Sequence, residues 1–249
     1  MRVTRTQLRE LIINEIKVDG FDFHNTLEQN IWASESEMDP EVLEGLLEII
    51  DNFIDGLPVE IYDYDVKLTG SIANYNWSKY SDIDLHIQTD FSKIDEDEEL
   101  VRAYFNSVTA LWNLKHEIDV KGYEVELYVE NINEDHVSSG VYSLVSKEWL
   151  VEPVKEQSHE IDVKAVRKKA KSISDQIKEV DKIKDPDESL KLSEKLKEKI
   201  RRMRKSGLQT RKGQYSTGNI AFKVLRRSGD LEKLSTIKNR AYDSLFSID

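Results

Sequence analysis

Residues whose types and spacing can do chemistry lie between positions 68 and 88. Gly70-Ser71 ends one strand-like run, and Asp82-Ile83-Asp84 begins another. Side chains alternate faces along a strand, so Asp82 and Asp84 point one way while Ile83, Leu85 and Ile87 supply the apolar side. Two adjacent carboxylates repel, and one of them tends to keep its proton. A hard divalent cation such as Mg²⁺ removes that conflict because it takes oxygen ligands. Glycine at position 70 lets backbone N–H groups approach an anion, and the Ser71 hydroxyl adds a donor. Together the pair can hold a triphosphate where a helical turn begins.

In these residues the chain resembles the DNA polymerase β-like nucleotidyltransferases. Their signature is an apolar strand, Gly-Ser, a helical turn, Asp-x-Asp among apolar residues, and a third carboxylate on a later strand. Gly70, Ser71, Asp82 and Asp84 match it, as does Ser81 before the first aspartate; where small members carry Arg-Gly inside the turn, this chain has Asn74-Tyr75. The resemblance implies an α/β (α+β) catalytic domain with a mixed, mainly antiparallel sheet. It also implies Mg²⁺ or Mn²⁺ held by Asp82 and Asp84, a nucleoside triphosphate (NTP) held near Gly70 and Ser71, and transfer of its nucleoside monophosphate to an acceptor hydroxyl with release of pyrophosphate.

The third carboxylate is expected on the strand Tyr123 to Glu130, where Glu124 and Glu126 share one face and Val125, Leu127 and Val129 the other. By the resemblance Glu126 is the first choice, as a metal ligand or proton acceptor, followed by Glu124 and then Asp119. Strand register decides among them, and sequence alone does not fix register.

The elements that must position these residues follow from periodicity and caps. A short helix is expected from Thr4 or Thr6 to Lys17, then an irregular linker over 18–38. Asp39-Pro40 caps a helix whose stripe Val42, Leu43, Leu46, Leu47, Ile50, Phe53 and Ile54 ends near Gly56. Val59 to Thr69 is the expected first strand, and Ile83 to Thr89 the second. The acidic run 95–99 reads as the start of a helix from about Asp97 to Leu114, with Leu100, Tyr104, Val108, Leu111 and Trp112 facing the core. A Lys121-Gly122 turn joins two hairpin strands, and 135–153 is a further strand-and-turn segment. His136 reads as structural, and Ser139, Ser143 and Ser146 form no hydrolase triad.

From residue 158 the pattern is helical: 161–180, then Asp185-Pro186 opening a helix to about Lys205, the two pairing antiparallel. A helix capped by Ser216 or Thr217 follows, Gly229 ends it, and a last helix carries Leu231, Leu234, Ile237 and Tyr242. Three domains are expected: 1–38, N-terminal helix and linker; 39–157, catalytic; 158–249, basic and helical. The tail, with Gly207-Leu208, Gly213-Gln214-Tyr215-Ser216 and Asn219 to Lys223, resembles that of nucleotidyltransferase-like proteins of large tailed bacteriophages.

Net charge is −12 over 249 residues, unevenly spread: 1–163 hold 36 Asp/Glu and 12 Lys/Arg, while 164–240 hold 24 Lys/Arg and 10 Asp/Glu. Such asymmetry points to a polyanionic partner, here an NTP with RNA or tRNA as a candidate acceptor. Arg201, Arg202, Arg204, Lys205, Arg211 and Lys212 interleave with Tyr215, Phe222 and Lys223. Tyr215 and Lys223 are therefore candidate nucleotide-binding residues. Cysteine is absent, which excludes disulfides and Cys-ligated zinc, and the 5 histidines are scattered. No apolar run is long enough to span a membrane and no signal peptide is evident, so a cytoplasmic protein is expected, in the host cytoplasm if phage-encoded. The competing reading is a catalytically silent binding module of the same fold, an antitoxin or a regulator of a protein partner.

Overall fold

Strict alternation of apolar residues builds the sheet. In the computed structural model, β1 (Tyr64–Thr69), β2 (Ile83–Thr89), β3 (Asp119–Val120), β4 (Tyr123–Asn131), β5 (Val141–Ser143) and β6 (Glu148–Val151) form one six-stranded sheet, ordered β3-β4-β2-β1-β5-β6. β2 and β4 run parallel and the other pairs antiparallel, so the sheet is mixed and mainly antiparallel within an α+β chain. The structure describes residues 17–134, 138–155 and 161–248. These divide into a sheet unit, from residue 20 to 155, and a helical unit made of residues 17–19 and 161–248.

One face of the sheet is the core. Leu68, Leu85 and Leu127 are aligned across β1, β2 and β4, as are Val66, Ile87 and Val129. They cluster with Leu46, Ile50 and Phe53 of α1 (Pro40–Asp55) and with Val101 and Phe105 of α2 (Glu98–Lys115). Each such side chain, fully buried, stabilises the fold by about 1.5–3 kcal/mol. The α1 start is as expected: Pro40 is the first helical residue, and the Asp39 side chain accepts from the N–H groups of Glu41 (2.9 Å) and Val42 (3.3 Å).

Three expectations need correction here. β1 begins at Tyr64 rather than Val59, because its partner β2 stops at Thr89, opposite Tyr64, and the Thr89 hydroxyl closes on the Asp63 carbonyl at 3.1 Å. Residues 20–38 are irregular but are no linker: Leu27, Ile31, Trp32 and Met38 are buried in the sheet core, and Trp32 Nε1 donates to the Ile72 carbonyl at 2.9 Å. The inward face of α2 is also rotated from the expected one. Val101, Phe105 and Thr109 are buried, Tyr104, Val108 and Trp112 are half-buried, and Leu100 and Leu111 are 60% and 50% exposed.

Polar ties set that rotation. Glu98 accepts from Asn131 Nδ2 at 2.6 Å, Arg102 pairs with Glu134, and the Asn113 amide bonds both the N–H and the carbonyl of Leu127 (2.9 and 3.0 Å). Asn113 thereby occupies the backbone groups that β4 would otherwise leave open beyond the two-residue strand β3.

The helical unit contains α3 (Val163–Asp181), α4 (Pro186–Leu208), α5 (Thr217–Arg227) and α6 (Asp230–Phe246), capped by Asp162, Asp185, Ser216 and Gly229. Its core is the stripe Val166, Ala170, Ile173 and Ile177 of α3 with Leu196, Ile200, Ile220, Val224, Leu234 and Ile237. α3 and α4 pack more on α5 and α6 than on each other. Tyr242, expected on the apolar face of α6, is 52% exposed, and Ala241 takes the inward position. No helix among the described residues is long and apolar enough to cross a membrane. The expected N-terminal helix, Lys17 aside, and His136 lie outside the described residues.

Candidate active site

The other face of the sheet carries the polar side chains, and its register sorts them into rows. Thr69, Asp84 and Glu126 are level on β1, β2 and β4; Lys67, His86 and Tyr128 form the next row, and Asp65, Gln88 and Glu130 the third. Because β2 and β4 are parallel neighbours, Asp84 and Glu126 share a face and an inter-strand spacing of ~4.8 Å. Asp82 precedes β2 by one residue, and continuing the register sets it level with Glu124. Glu124 is exposed, whereas Asp82, Asp84 and Glu126 are half-buried. Register thus puts Glu126 beside Asp84 and Glu124 beside Asp82, while Asp119 lies on β3 opposite Glu124.

The gathered charge registers in neighbouring groups. Partial desolvation pushes the carboxyl of the exposed Glu124 up, and the charges of Glu126 and Asp82 push it further. Tyr128 is raised by burial, by its hydrogen bond to Glu126 and by the charges of Glu126, Asp84 and Asp82. Tyr128 OH donates to Glu126 Oε2, and its ring stacks on His86 with centroids 4.8 Å apart. His86 Nδ1 lies 2.7 Å from Glu130 Oε1. None of Tyr128, His86 and Glu130 was singled out from sequence, although a period of two counted from Asp84 and Glu126 reaches all three.

Gly70 follows the end of β1 with φ +77°, and a Cβ there would overlap Asp84 Oδ2. The glycine therefore does more than leave room for an anion: it seats the Asp84 carboxylate. Residues 70–82 are turns and bends without a regular helix; the expected helical turn is a single one, closed by the Asn74 N–H on the Ser71 carbonyl at 3.1 Å, and it goes no further. The reason is that the loop is pinned along its length to surrounding groups. Ser71 Oγ and Ser81 Oγ are 2.7 Å apart, and Ser81 Oγ accepts from the Ser78 N–H at 2.9 Å. Asn74 Nδ2 donates to Ser139 Oγ (2.6 Å), and Tyr75 OH to Glu35 Oε2 (2.9 Å). Ile72 and Ala73 are fully buried beneath these ties. Burial and the Glu35 bond push Tyr75 up to about 12, while Lys155 and then Tyr75 hold Glu35 below its usual range.

The donor set is right in kind for Mg²⁺ or Mn²⁺: hard carboxylate oxygens on adjacent strands. As placed they do not converge, since the Asp84 carboxylate lies against Gly70 and Glu126 is turned to Tyr128; among the described residues no group of three Asp, Glu or His side chains is disposed to hold a metal ion. The candidates Tyr215 and Lys223 lie in the helical unit. Tyr215 is 6% exposed and its hydroxyl accepts from Gln214 Nε2 at 3.0 Å, so its ring is a core element and not an open platform for a base. Lys223 is half-buried on α5. Comparison with protein-family models, with curated proteins and with solved structures found no match.

Proposed function

We propose that the chain is a metal-dependent nucleotidyltransferase with the polymerase β-like arrangement, moving a nucleoside monophosphate from an NTP to an acceptor hydroxyl. The observation that carries this reading is the row Thr69–Asp84–Glu126, with Asp82 at the strand entry and Gly70 seating Asp84. Asp82, Asp84 and Glu126 would hold Mg²⁺ or Mn²⁺, which when bound neutralises phosphate charge and makes the acceptor hydroxyl more acidic.

The chain's own groups do the rest. The Ser78 N–H donates to Ser81 Oγ, so a Ser81 hydroxyl that donates its hydrogen bond to Ser71 Oγ leaves the Ser71 O–H free to donate to a phosphate oxygen. The acceptor oxygen forms a bond to the α-phosphorus, the bond from that phosphorus to the bridging oxygen breaks, and pyrophosphate departs with the electron pair. Glu126, released from Tyr128 by a side-chain rotation, takes the hydroxyl proton. Rate enhancement comes mainly from positioning and charge neutralisation.

The test is incubation with each α-³²P-labelled NTP, Mg²⁺ or Mn²⁺, and cellular RNA and protein, alongside Asp82→Asn and Asp84→Asn. Label entering a macromolecule with wild type alone supports the reading; no transfer and no pyrophosphate from folded protein sinks it. The hydrogen bond holding Glu126 to Tyr128 favours a second reading, a silent module that engages a partner through this acidic face. That module would keep its cellular effect in Asp82→Asn.

A further inference from the structure

Many cations of the helical unit are matched by carboxylates. Lys191 pairs with Asp187, Arg201 and Arg202 with Glu198, Lys233 and Arg240 with Asp181, and Lys238 with Glu194. Arg204 differs. Two glycines let α4 and α5 cross closely: a Cβ on Gly218 would lie 2.8 Å from the Met203 carbonyl, and one on Gly207 2.5 Å from Ser216 Oγ. That crossing carries Phe222, one turn beyond Gly218, beneath Arg204, whose guanidinium carbon sits 4.4 Å from the ring centroid.

Arg204 has no carboxylate partner among the described residues, although the residue is exposed. The charge it feels is Arg226, one turn beyond Phe222 on the same face of α5. Partial desolvation of the guanidinium against the protein first, and then Arg226, push it below its usual range. An arginine desolvated by a ring, opposed by a like charge and given no acid is arranged to receive an anion from outside. The exposed cations Lys205 and Arg211 also lack a carboxylate partner among the described residues. The helix rises ~1.5 Å per residue, so the end of α4, where the loop bearing Arg211 begins, lies ~6 Å beyond Arg204. That span suits successive phosphates of a strand better than a single phosphate.

We propose that Arg204, laid on Phe222 and followed by Lys205 and Arg211, binds the phosphodiester backbone of single-stranded nucleic acid. The edge of the guanidinium takes a phosphate and its outer plane stacks a base. Calling that strand the acceptor rests on the nucleotidyltransferase reading; the binding site does not.

The experiment is fluorescence anisotropy with a short labelled single-stranded RNA, and with DNA of the same sequence, across a salt series. Arg204→Ala weakens binding about ten-fold and lowers the slope of log affinity against log salt by about 0.7. Arg204→Lys keeps the slope and loses part of the affinity, because the charge stays while the plane goes. Arg211→Ala reads the same slope change if Arg204→Ala does not fold. Equal binding of RNA and DNA supports a phosphate and base contact, and an RNA preference adds one to the 2′-hydroxyl. Unchanged affinity and slope in folded Arg204→Ala overturn the proposal. So does displacement of RNA by inorganic phosphate as effective, per phosphate, as unlabelled RNA. Asp82→Asn/Asp84→Asn binds RNA like wild type. RNA binding without any transfer therefore sinks the enzyme reading alone, and transfer without Arg204-dependent binding sinks this site alone.

Discussion

The two faces of one sheet obey the same register and have opposite tasks. On one face Leu68, Leu85 and Leu127 are fully buried in a row; on the other, one residue along, Thr69, Asp84 and Glu126 make a row in which two carboxylates are neighbours. Burial of the first row fixes the second, because a slip of one residue would turn every leucine to the polar side and every acid to the core. The acids repel one another, so their mutual interaction does not select this alignment. It is held by the apolar row behind it, so the strain of gathering like charge is borne by the core.

That dependence runs one way, and substitutions on the two faces expose it. The largest effect is expected for Asp84→Asn: transfer falls by about a thousand-fold or more, while the protein still unfolds in one cooperative transition in urea. A variant that transfers at the wild-type rate breaks the assignment of that face. Next comes Leu85→Ala, which opens a hole in a fully buried row and costs about 2–5 kcal/mol in urea unfolding. Transfer measured well below its midpoint should persist, since the backbone register is shared with the rows on either side. Loss of both together would mean that Leu85 alone holds the acids, rather than the register that the whole apolar face shares.

How much of this was legible follows from which interactions are local. The α1 start at Asp39-Pro40, the bounds of β2 and the Lys121-Gly122 turn, with φ of 53° and 90°, were readable because caps and turns are decided within a few residues. The sharing of a face by Asp82 and Asp84, and by Glu124 and Glu126, was readable from the period of two. The pairing of Asp84 with Glu126 was not, because parallel strands meet through a distant crossover and any even shift preserves the pattern. The same limit explains α2. Its apolar residues offer two overlapping stripes, and the choice is made by Glu98, Arg102 and Asn113 bonding groups on and just beyond β4. Tyr215 looked like a platform for a base in a basic stretch, and its burial under α4 and α5 depends on a helix crossing that no local pattern announces.

Between the two faces stands Gly70. Alanine there must hold φ near +77°, at about 1–2 kcal/mol, and its methyl group displaces the Asp84 carboxylate. Stability and transfer should therefore fall together, unlike in either variant above. A stable Gly70→Ala with full transfer would show that Asp84 does not need its seat. Tyr128→Phe acts within the polar face. It removes the donor that holds Glu126, costs about 1 kcal/mol, and lowers the Mg²⁺ concentration needed for half-maximal thermal stabilisation, because the carboxylate no longer has a competing partner. An unchanged Mg²⁺ requirement would remove Glu126 from the proposed ligand set.

The smallest effect is expected where the loop that carries Gly70 is tied at its far end. Glu35 accepts from Tyr75 and pairs with Lys155, and both partners hold its carboxyl below the usual range. A carboxylate whose pKa is lower folded than unfolded contributes stability above its unfolded value, near 4.3, and that contribution is lost as pH falls through the folded pKa. Glu35→Gln should lower the melting temperature slightly at neutral pH and leave it unchanged well below pH 4, the difference shrinking as the wild-type carboxylate protonates. Glu35 and Lys155 are both exposed, which keeps the effect small at any pH. Its size matters less than its companion measurement: if the polar row is aligned by the core alone, Glu35→Gln leaves Asp84-dependent transfer intact. A loss of transfer larger than the loss of stability would mean that the loop tie, as well as the leucine row, sets the position of the acids.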